Sequence, residues 1–442
     1  MKHNIVIKHF GPIGDCELDI NDFTVLTGPQ SNGKSTIAKA IYYFRTVKQD
    51  ILSIMLQGGP RSLSGEKNAE WNHTLRQRLR TKFLELFGTS WIMPLDMSLK
   101  YTYSQDCYIR VFLQEDNVDY SKNYIRFDFS PALQDYLNNL DQQLFINITP
   151  GQRVHEESVL NKLFNDPYET IFIPAGRNLI TLLSTQLNYI FTSLEDSQLR
   201  SIDYITKRYT ELILRIKPLF TNGYAGMESE VANRPEMASS YKDKKPALNY
   251  LKKHSQDILR GKYRYVDGEE RLYLDEQKYV KINFLSSGQQ EIVWVFNLLF
   301  YYLLENKRIA LILEEPESHL FPDSQQEVGE ILAMFHNEKN QVLVTTHSPY
   351  LLGTFNYLLL SGQAPSGATE LIKAQVRKRL WLYPEKTSAF YVIDGNANNA
   401  VLTEDGISLI QNELIDGAST RINEKSDFVL EKSLAAEGND EH

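Results

Sequence analysis

Cys16 and Cys107 are the only thiols in this chain of 442 residues. Two cysteines are too few for a disulfide framework or a four-thiolate zinc site, and such usage fits a reducing compartment. Long apolar runs are also missing. The most apolar patch, Leu298 to Leu304, is too short to cross a bilayer, and polar or charged residues break every apolar run between Met1 and Ile20, so neither a membrane span nor a signal peptide is expected. Positive charge is not in excess: 56 acidic residues against 47 basic ones leave a formal charge of −9. Any contact with nucleic acid must therefore be local. The nine histidines are scattered, and no internal repeat is seen. With 42% hydrophobic and 11% aromatic residues, the chain has enough apolar surface for one large core or two moderate ones. A folded cytoplasmic protein is the expectation.

The chain does carry a glycine loop. Phe23 to Thr27 reads as a strand, Ser35 to Arg45 reads as a helix, and Gly28-Pro29-Gln30-Ser31-Asn32-Gly33-Lys34-Ser35, with Thr36 behind it, joins the two. Gly28 and Gly33 permit a tight backbone that points N–H groups at phosphate oxygens. Lys34 has the length to reach β- and γ-phosphates, and Ser35 offers a hydroxyl to Mg²⁺.

Far downstream, Ile309-Ala310-Leu311-Ile312-Leu313 runs into Glu314-Glu315-Pro316. Five apolar residues in a row predict a buried strand with a pair of carboxylates at its end, and buried carboxylates need partners. Metal support suits Glu314, and general-base activation of water suits Glu315. Gln341 to Thr345 predicts a further core strand, which places His347, within Thr345-Thr346-His347-Ser348-Pro349, at the same sheet edge. There it is suited to bond the γ-phosphate or the attacking water. Phe284-Leu285-Ser286-Ser287-Gly288-Gln289 opens a predicted helix, Ser287 to Glu305, and by itself is ordinary capping chemistry.

Elsewhere, Asn4 to Leu18 predicts a hairpin turning near Gly11-Pro12. Aromatic alternation across Ser98 to Ser130 predicts an antiparallel sheet beside the nucleotide core, and Thr170 to Pro174 predicts another core strand. Leu179 to Leu259 is helical in pattern, with a polar loop expected around Thr221 to Lys245.

Taken in order, the four motifs resemble those of the ABC-type ATPases, whose signature usually reads Leu-Ser-Gly-Gly-Gln and appears here as Leu285-Ser286-Ser287-Gly288-Gln289. Within that superfamily the chain is similar to the SMC, RecF and overcoming-lysogenisation-defect branch, including stand-alone ATPase subunits of bacterial anti-phage defence systems. Three features carry this: Glu314-Glu315-Pro316-Glu317-Ser318-His319-Leu320-Phe321-Pro322, Thr346-His347-Ser348-Pro349, and a span of about 250 residues between glycine loop and signature. Glu314 stands where most of the superfamily has aspartate, Phe321 replaces a histidine, and Ser287 replaces the first signature glycine. None of these changes removes a reacting group.

The resemblance implies an α/β fold: a P-loop ABC-type ATPase core with an antiparallel β subdomain and a helical insertion. Lobe I would span 1–177, the insertion 178–261 and lobe II 262–430, with a disordered tail over 431–442. It implies ATP and Mg²⁺ as cofactors and a homodimer or higher oligomer, with Ser286, Ser287, Gly288 and Gln289 closing on the partner's nucleotide. It also implies a DNA-associated switch that controls a separately encoded effector such as a nuclease, in anti-phage defence or DNA repair. The alternatives are a RecF-like DNA clamp without an effector and a transporter ATPase subunit. Gln57, Gln105 and Gln114 compete for the family's magnesium-coordinating glutamine. Arg177 reads equally as a residue beside the nucleotide or as an ordinary exposed arginine. Of the basic clusters, Lys242, Lys244, Lys245, Lys252 and Lys253 are the best nucleic-acid candidates, against the plain alternative of a solvated helix face.

Overall fold

The computed structural model describes residues 2–57, 71–88, 93–115, 123–141, 149–181, 203–411, 417 and 421–429. The expected acidic tail over 431–442 lies outside them.

β1 (His3–Phe10) and β2 (Ile13–Ile20) form the expected hairpin, and β3 (Phe23–Thr27) leads into α1 (Lys34–Arg45) and α2 (Val47–Leu56). After α3 (Trp71–Phe87) come β4 (Ser98–Thr102), β5 (Tyr108–Glu115) and β6 (Asn123–Phe129), then α4 (Pro131–Asp141), α5 (Pro150–Leu163) and β7 (Glu169–Ile173). Helices α6 (Tyr204–Ile216), α7 (Gly223–Ala232) and α8 (Ala238–Leu259) precede a small antiparallel sheet of β8 (Lys262–Val266), β9 (Glu269–Tyr273) and β10 (Tyr279–Lys281). α9 (Ser287–Leu304), β11 (Ile309–Glu314), α10 (Pro322–Asn337), β12 (Gln341–Thr346), α11 (Pro349–Gly362) and α12 (Thr369–Gln375) follow. The described chain closes with β13 (Thr387–Ile393), β14 (Asn396–Asn399), β15 (Val401–Glu404) and β16 (Ile407–Ile410).

One 11-stranded sheet organises the molecule, in the order β6-β5-β4-β1-β2-β14-β13-β3-β12-β11-β7. The antiparallel strands β4, β5 and β6 are therefore continuous with the nucleotide core through β1 rather than a separate layer beside it. β7, β11, β12, β3 and β13 run parallel. All five residues of β3 and all six of β11 are buried, as a parallel strand covered on both faces requires.

The side-chain alternation of these strands divides the core in two. Val25, Leu311, Leu313, Val342 and Val344 face the layer that holds α9, α10 and α11. Leu26, Ile312 and Leu343 face the layer that holds α1 and α3. The helix after the glycine loop and the helix after the signature thus cover opposite faces of one sheet.

The polar loop expected over Thr221 to Lys245 instead holds all of α7 and the start of α8. Each helix buries one stripe, which includes Tyr224, Met227 and Val231 in α7 and Ala247, Leu248, Tyr250, Leu251 and Leu259 in α8. Their exposed faces supply the polar composition that mimics a loop. Pro246 is accommodated inside α8.

Candidate functional site

β3 delivers the glycine loop. Gly28 has φ 133°, and a Cβ there would stand 2.2 Å from the Val392 carbonyl oxygen on β13, so only glycine fits. Gly33, at φ 101°, is the N-cap of α1, and a Cβ on it would meet Ile13 Cδ1 at 2.3 Å. Asn32 accepts a hydrogen bond from the Asp394 backbone N–H (2.9 Å) and donates to the Gln30 carbonyl (2.9 Å). The turn between β13 and β14 therefore braces the loop, a contact across most of the chain that no local pattern announces. Pro29, Gln30 and Ser31 are exposed on the loop's outer side, and Ser31 takes φ 61°. Thr36 lies behind, near the Gly11 turn.

Lys34 folds its ammonium onto the loop, donating to the carbonyls of Gly28 (2.8 Å) and Pro29 (2.6 Å). Burial pulls its pKa down to about 8, against the opposing charges of Glu315 and Glu317.

β11 ends in Glu314, which is buried. Oε2 accepts from the Ala175 N–H at 3.3 Å, and the Ser35 side chain also bonds the carboxyl, but Oε1 has no hydrogen-bond partner among the described residues. Burial is the first cause that raises its pKa, with the Ser35 and Ala175 bonds opposing. An orphaned buried carboxylate oxygen beside a serine hydroxyl fits a hard divalent cation. Ser35 and Glu314 are accordingly the residues that would hold Mg²⁺.

Glu315 lies just past the strand with φ 42°, a sparsely populated conformation for a residue with a side chain. Its Oε1 stands 3.2 Å from His347 Nε2, and Ser318 Oγ bonds Oε2 at 3.4 Å. The His347 hydrogen bond is the first cause that holds the Glu315 pKa below the usual carboxylate range. Glu315 is part-exposed, so its carboxylate is within reach of water.

Glu317 received no role from sequence. Its Oε1 accepts from the His347 N–H and the Thr346 hydroxyl, both at 2.7 Å, so this carboxyl sets the backbone that presents His347. Burial raises its pKa. Its position inside the Glu-Glu-Pro-Glu run was the available signal.

The signature forms a capping box. Ser286 caps α9 by accepting from the Gln289 N–H, while Gln289 Oε1 accepts from the Ser286 N–H at 3.0 Å. The Gln289 amide also donates to the Leu259 carbonyl at 2.7 Å, so that side chain is committed within the protein. Ser286 and Ser287 are exposed, with exposed Phe284 before them. Gly288 is buried, and a Cβ there would stand 2.5 Å from the His319 carbonyl oxygen. The start of α9 thus presses on the turn that follows the carboxylates.

Lys34, Ser35, Glu314, Glu315 and His347 converge at the C-terminal ends of β3, β11 and β12, where open parallel sheets bind ligands. Ser286, Ser287, Gly288 and Gln289 belong to the helix layer on the other face. Arg177, for which an exposed position was one expectation, is completely buried. Strand register places Gln105, in the turn after β4, at the end of the sheet away from the glycine loop, because Thr102 pairs with Asn4 at the start of β1. Gln57 follows α2 in an exposed position, and the Gln114 side chain lies outside the described residues.

No curated protein matches the chain. Among solved structures, an Smc head bound to the C-winged helix domain of ScpA is similar at TM-score 0.39 and 11% identity, covering 91% of this chain and 97% of that one. The SMC head domain from Thermotoga maritima gives 0.36 and 12%, covering 90% and 98%. An Smc head with an extended coiled coil bound to the C-terminal domain of ScpA, derived from Pyrococcus furiosus, gives 0.36 and 13%, covering 96% and 98%. A family model described as an AAA ATPase domain matches residues 1–352, ending before the β13–β14 hairpin that braces the glycine loop. With the glycine loop, the paired glutamates and His347 all inside that match, the chain belongs to the AAA ATPase domain family and is an ATPase.

Proposed function

We propose that this ATPase works as an ABC-type homodimer that closes around ATP, with each signature acting on the nucleotide held by the other copy. The observation that carries this is the placement of α1 and α9 on opposite faces of one sheet. The exposed Ser286–Ser287 end of α9 belongs to a different layer from the loop that cradles its own phosphates. A second copy related by a two-fold axis brings each signature to the other's loop. Mg²⁺ at Ser35 and Glu314 would neutralise charge on the phosphates. Lys34 releases the Gly28 and Pro29 carbonyls to bind β- and γ-oxygens, Glu315 takes the proton of the attacking water, and His347 orients that carboxylate.

Within this proposal the chain divides into lobe I (1–177), an insertion (178–261) and lobe II (262–430). It is a cytoplasmic, DNA-associated switch for a separately encoded effector such as a nuclease, in anti-phage defence or repair. The support for that role is the motif resemblance. The dimer is tested by sedimentation of Glu315→Gln protein with and without Mg-ATP. ATP-dependent dimers that Ser287→Glu abolishes, with monomer nucleotide binding retained, are expected. Dimers that persist in the double variant would remove the signature from the interface.

A further inference from the structure

Arg177 is fully buried, and a buried guanidinium must find partners for its donors or carry a heavy desolvation penalty. Its partners come from three places: Glu291, Pro174 and the Glu314–Glu315 backbone. Its backbone N–H and that of Asn178 bond the Glu291 carboxylate at 3.0 and 3.1 Å, and its Nε bonds the Glu291 carbonyl at 2.9 Å. Nη1 donates to the Pro174 carbonyl at 2.9 Å and the Glu314 carbonyl at 2.6 Å, and Nη2 donates to the Glu315 carbonyl at 3.0 Å. Thr181, four residues on, donates to the Gln290 carbonyl at 3.0 Å.

An arginine needed only as a counter-ion would be satisfied by the Glu291 carboxylate. Here the outer nitrogens turn away from it and grip the backbone of the two residues that carry the reacting carboxylates. Glu291 lies on α9, five residues after Ser286, so the same side chain ties the signature helix to the end of β11. The grip falls where it is needed, because Glu315 sits at φ 42° and its left-handed backbone requires something to hold it. Lysine cannot reproduce this: one ammonium cannot span Glu291 on one side and two successive carbonyls on the other.

We propose that Arg177 is a positioning residue for hydrolysis, which aims the Glu315 carboxylate by fixing the Glu314–Glu315 backbone to the signature helix. The inference rests on Glu315 being the general base. None of the hydrogen bonds of Arg177 goes to residues 28–36, so nucleotide affinity is set elsewhere.

The test is a double-mutant cycle on ATP turnover. Arg177→Lys should lower kcat by about 10- to 100-fold, the scale of a misaimed catalytic group, while KM and ATP affinity change less than about twofold. In a Glu315→Gln background the same substitution should change the residual turnover by less than about twofold, because the group it aims is gone. An equal loss in both backgrounds, or a change confined to KM, would show a merely structural arginine and overturn the proposal. Near-normal turnover by Glu315→Gln alone would instead overturn the base assignment, and the inference with it. If Arg177→Lys does not give a cooperative thermal melt, Glu291→Gln is read in the same cycle. It keeps the shape of the α9 anchor, and a smaller kcat loss that again vanishes without Glu315 is expected. A loss that persists there would equally reject the idea.

Discussion

His347 Nε2 stands 3.2 Å from Glu315 Oε1, so the residues that follow two neighbouring parallel strands meet just beyond the sheet. Neither side chain would be placed this way by its own strand. Glu315 leaves β11 through a left-handed turn, and His347 leaves β12 with its N–H fixed by Glu317. The pair presents an ionised carboxylate and an imidazole at the mouth of the site.

Glu315→Gln should keep ATP binding and lower kcat by about 10²- to 10⁴-fold, because the amide preserves shape but accepts no proton. His347→Ala should cost less and leave a distinct trace. With its principal hydrogen bond lost, the Glu315 pKa rises towards the ordinary carboxylate value, so the acid limb of the kcat–pH profile moves to higher pH. Parallel pH–rate profiles of the purified parent and variants decide both points, and near-normal turnover by Glu315→Gln would remove its role.

If Lys34 binds the phosphates, nucleotide affinity should depend on pH. Burial lowers its pKa to about 8, while a bound polyphosphate would favour the charged form and raise it. Below about pH 8 the lysine is protonated with or without nucleotide, so affinity should be flat. Above it, binding must take up a proton, and the dissociation constant should weaken by up to about tenfold per pH unit. Calorimetry from pH 7 to 9.5 in buffers of different ionisation enthalpy measures both affinity and proton uptake. A flat profile across that range would show that nucleotide binding does not change the protonation of Lys34. Lys34→Arg, which cannot deprotonate there, should lose the slope.

The parts of this site that sequence made legible are local in the chain. Strand, glycine loop and helix are contiguous at Phe23 to Arg45, and an apolar run ending in Glu314-Glu315 announces a buried strand with carboxylates at its tip. What sequence hid is brought together by the sheet. β13 lies beside β3 although more than 350 residues separate them, and its Val392 carbonyl is what excludes any side chain at Gly28. Arg177 looks like any polar arginine until the fold buries it against Glu291 and the end of β11. Gly288 reads as a signature residue alone, yet it also packs on the His319 carbonyl. A bulky residue there would disturb its own subunit, which makes exposed Ser287 the cleaner probe of the second copy.

The proposed nucleic-acid contact on α8 is narrower than its lysine count suggests. Lys244 is paired with Glu338 at 3.0 Å and Lys252 with Glu228 at 2.7 Å, so neither carries free charge outward. Lys242, Lys245 and Lys253 are exposed, and at 100° per residue they fall within one narrow face together with exposed Asn249. Eleven residues of helix separate the first lysine from the last, a stripe about 16 Å long that suits successive phosphates. Changing these three lysines to glutamine should weaken DNA binding across all sequences and flatten its dependence on salt, since fewer counterions are released. Basal ATP hydrolysis should hold within about twofold, because the stripe lies outside the strand ends where Lys34, Glu314, Glu315 and His347 meet. Lys244→Gln with Lys252→Gln is the matched control: it breaks two ion pairs at a stability cost of up to about 1 kcal/mol each and should leave the salt slope unchanged. Titration of fluorescent duplex DNA at several salt concentrations reads both variants. A parental affinity and slope for the triple variant would assign the stripe to solvent or to an acidic protein partner.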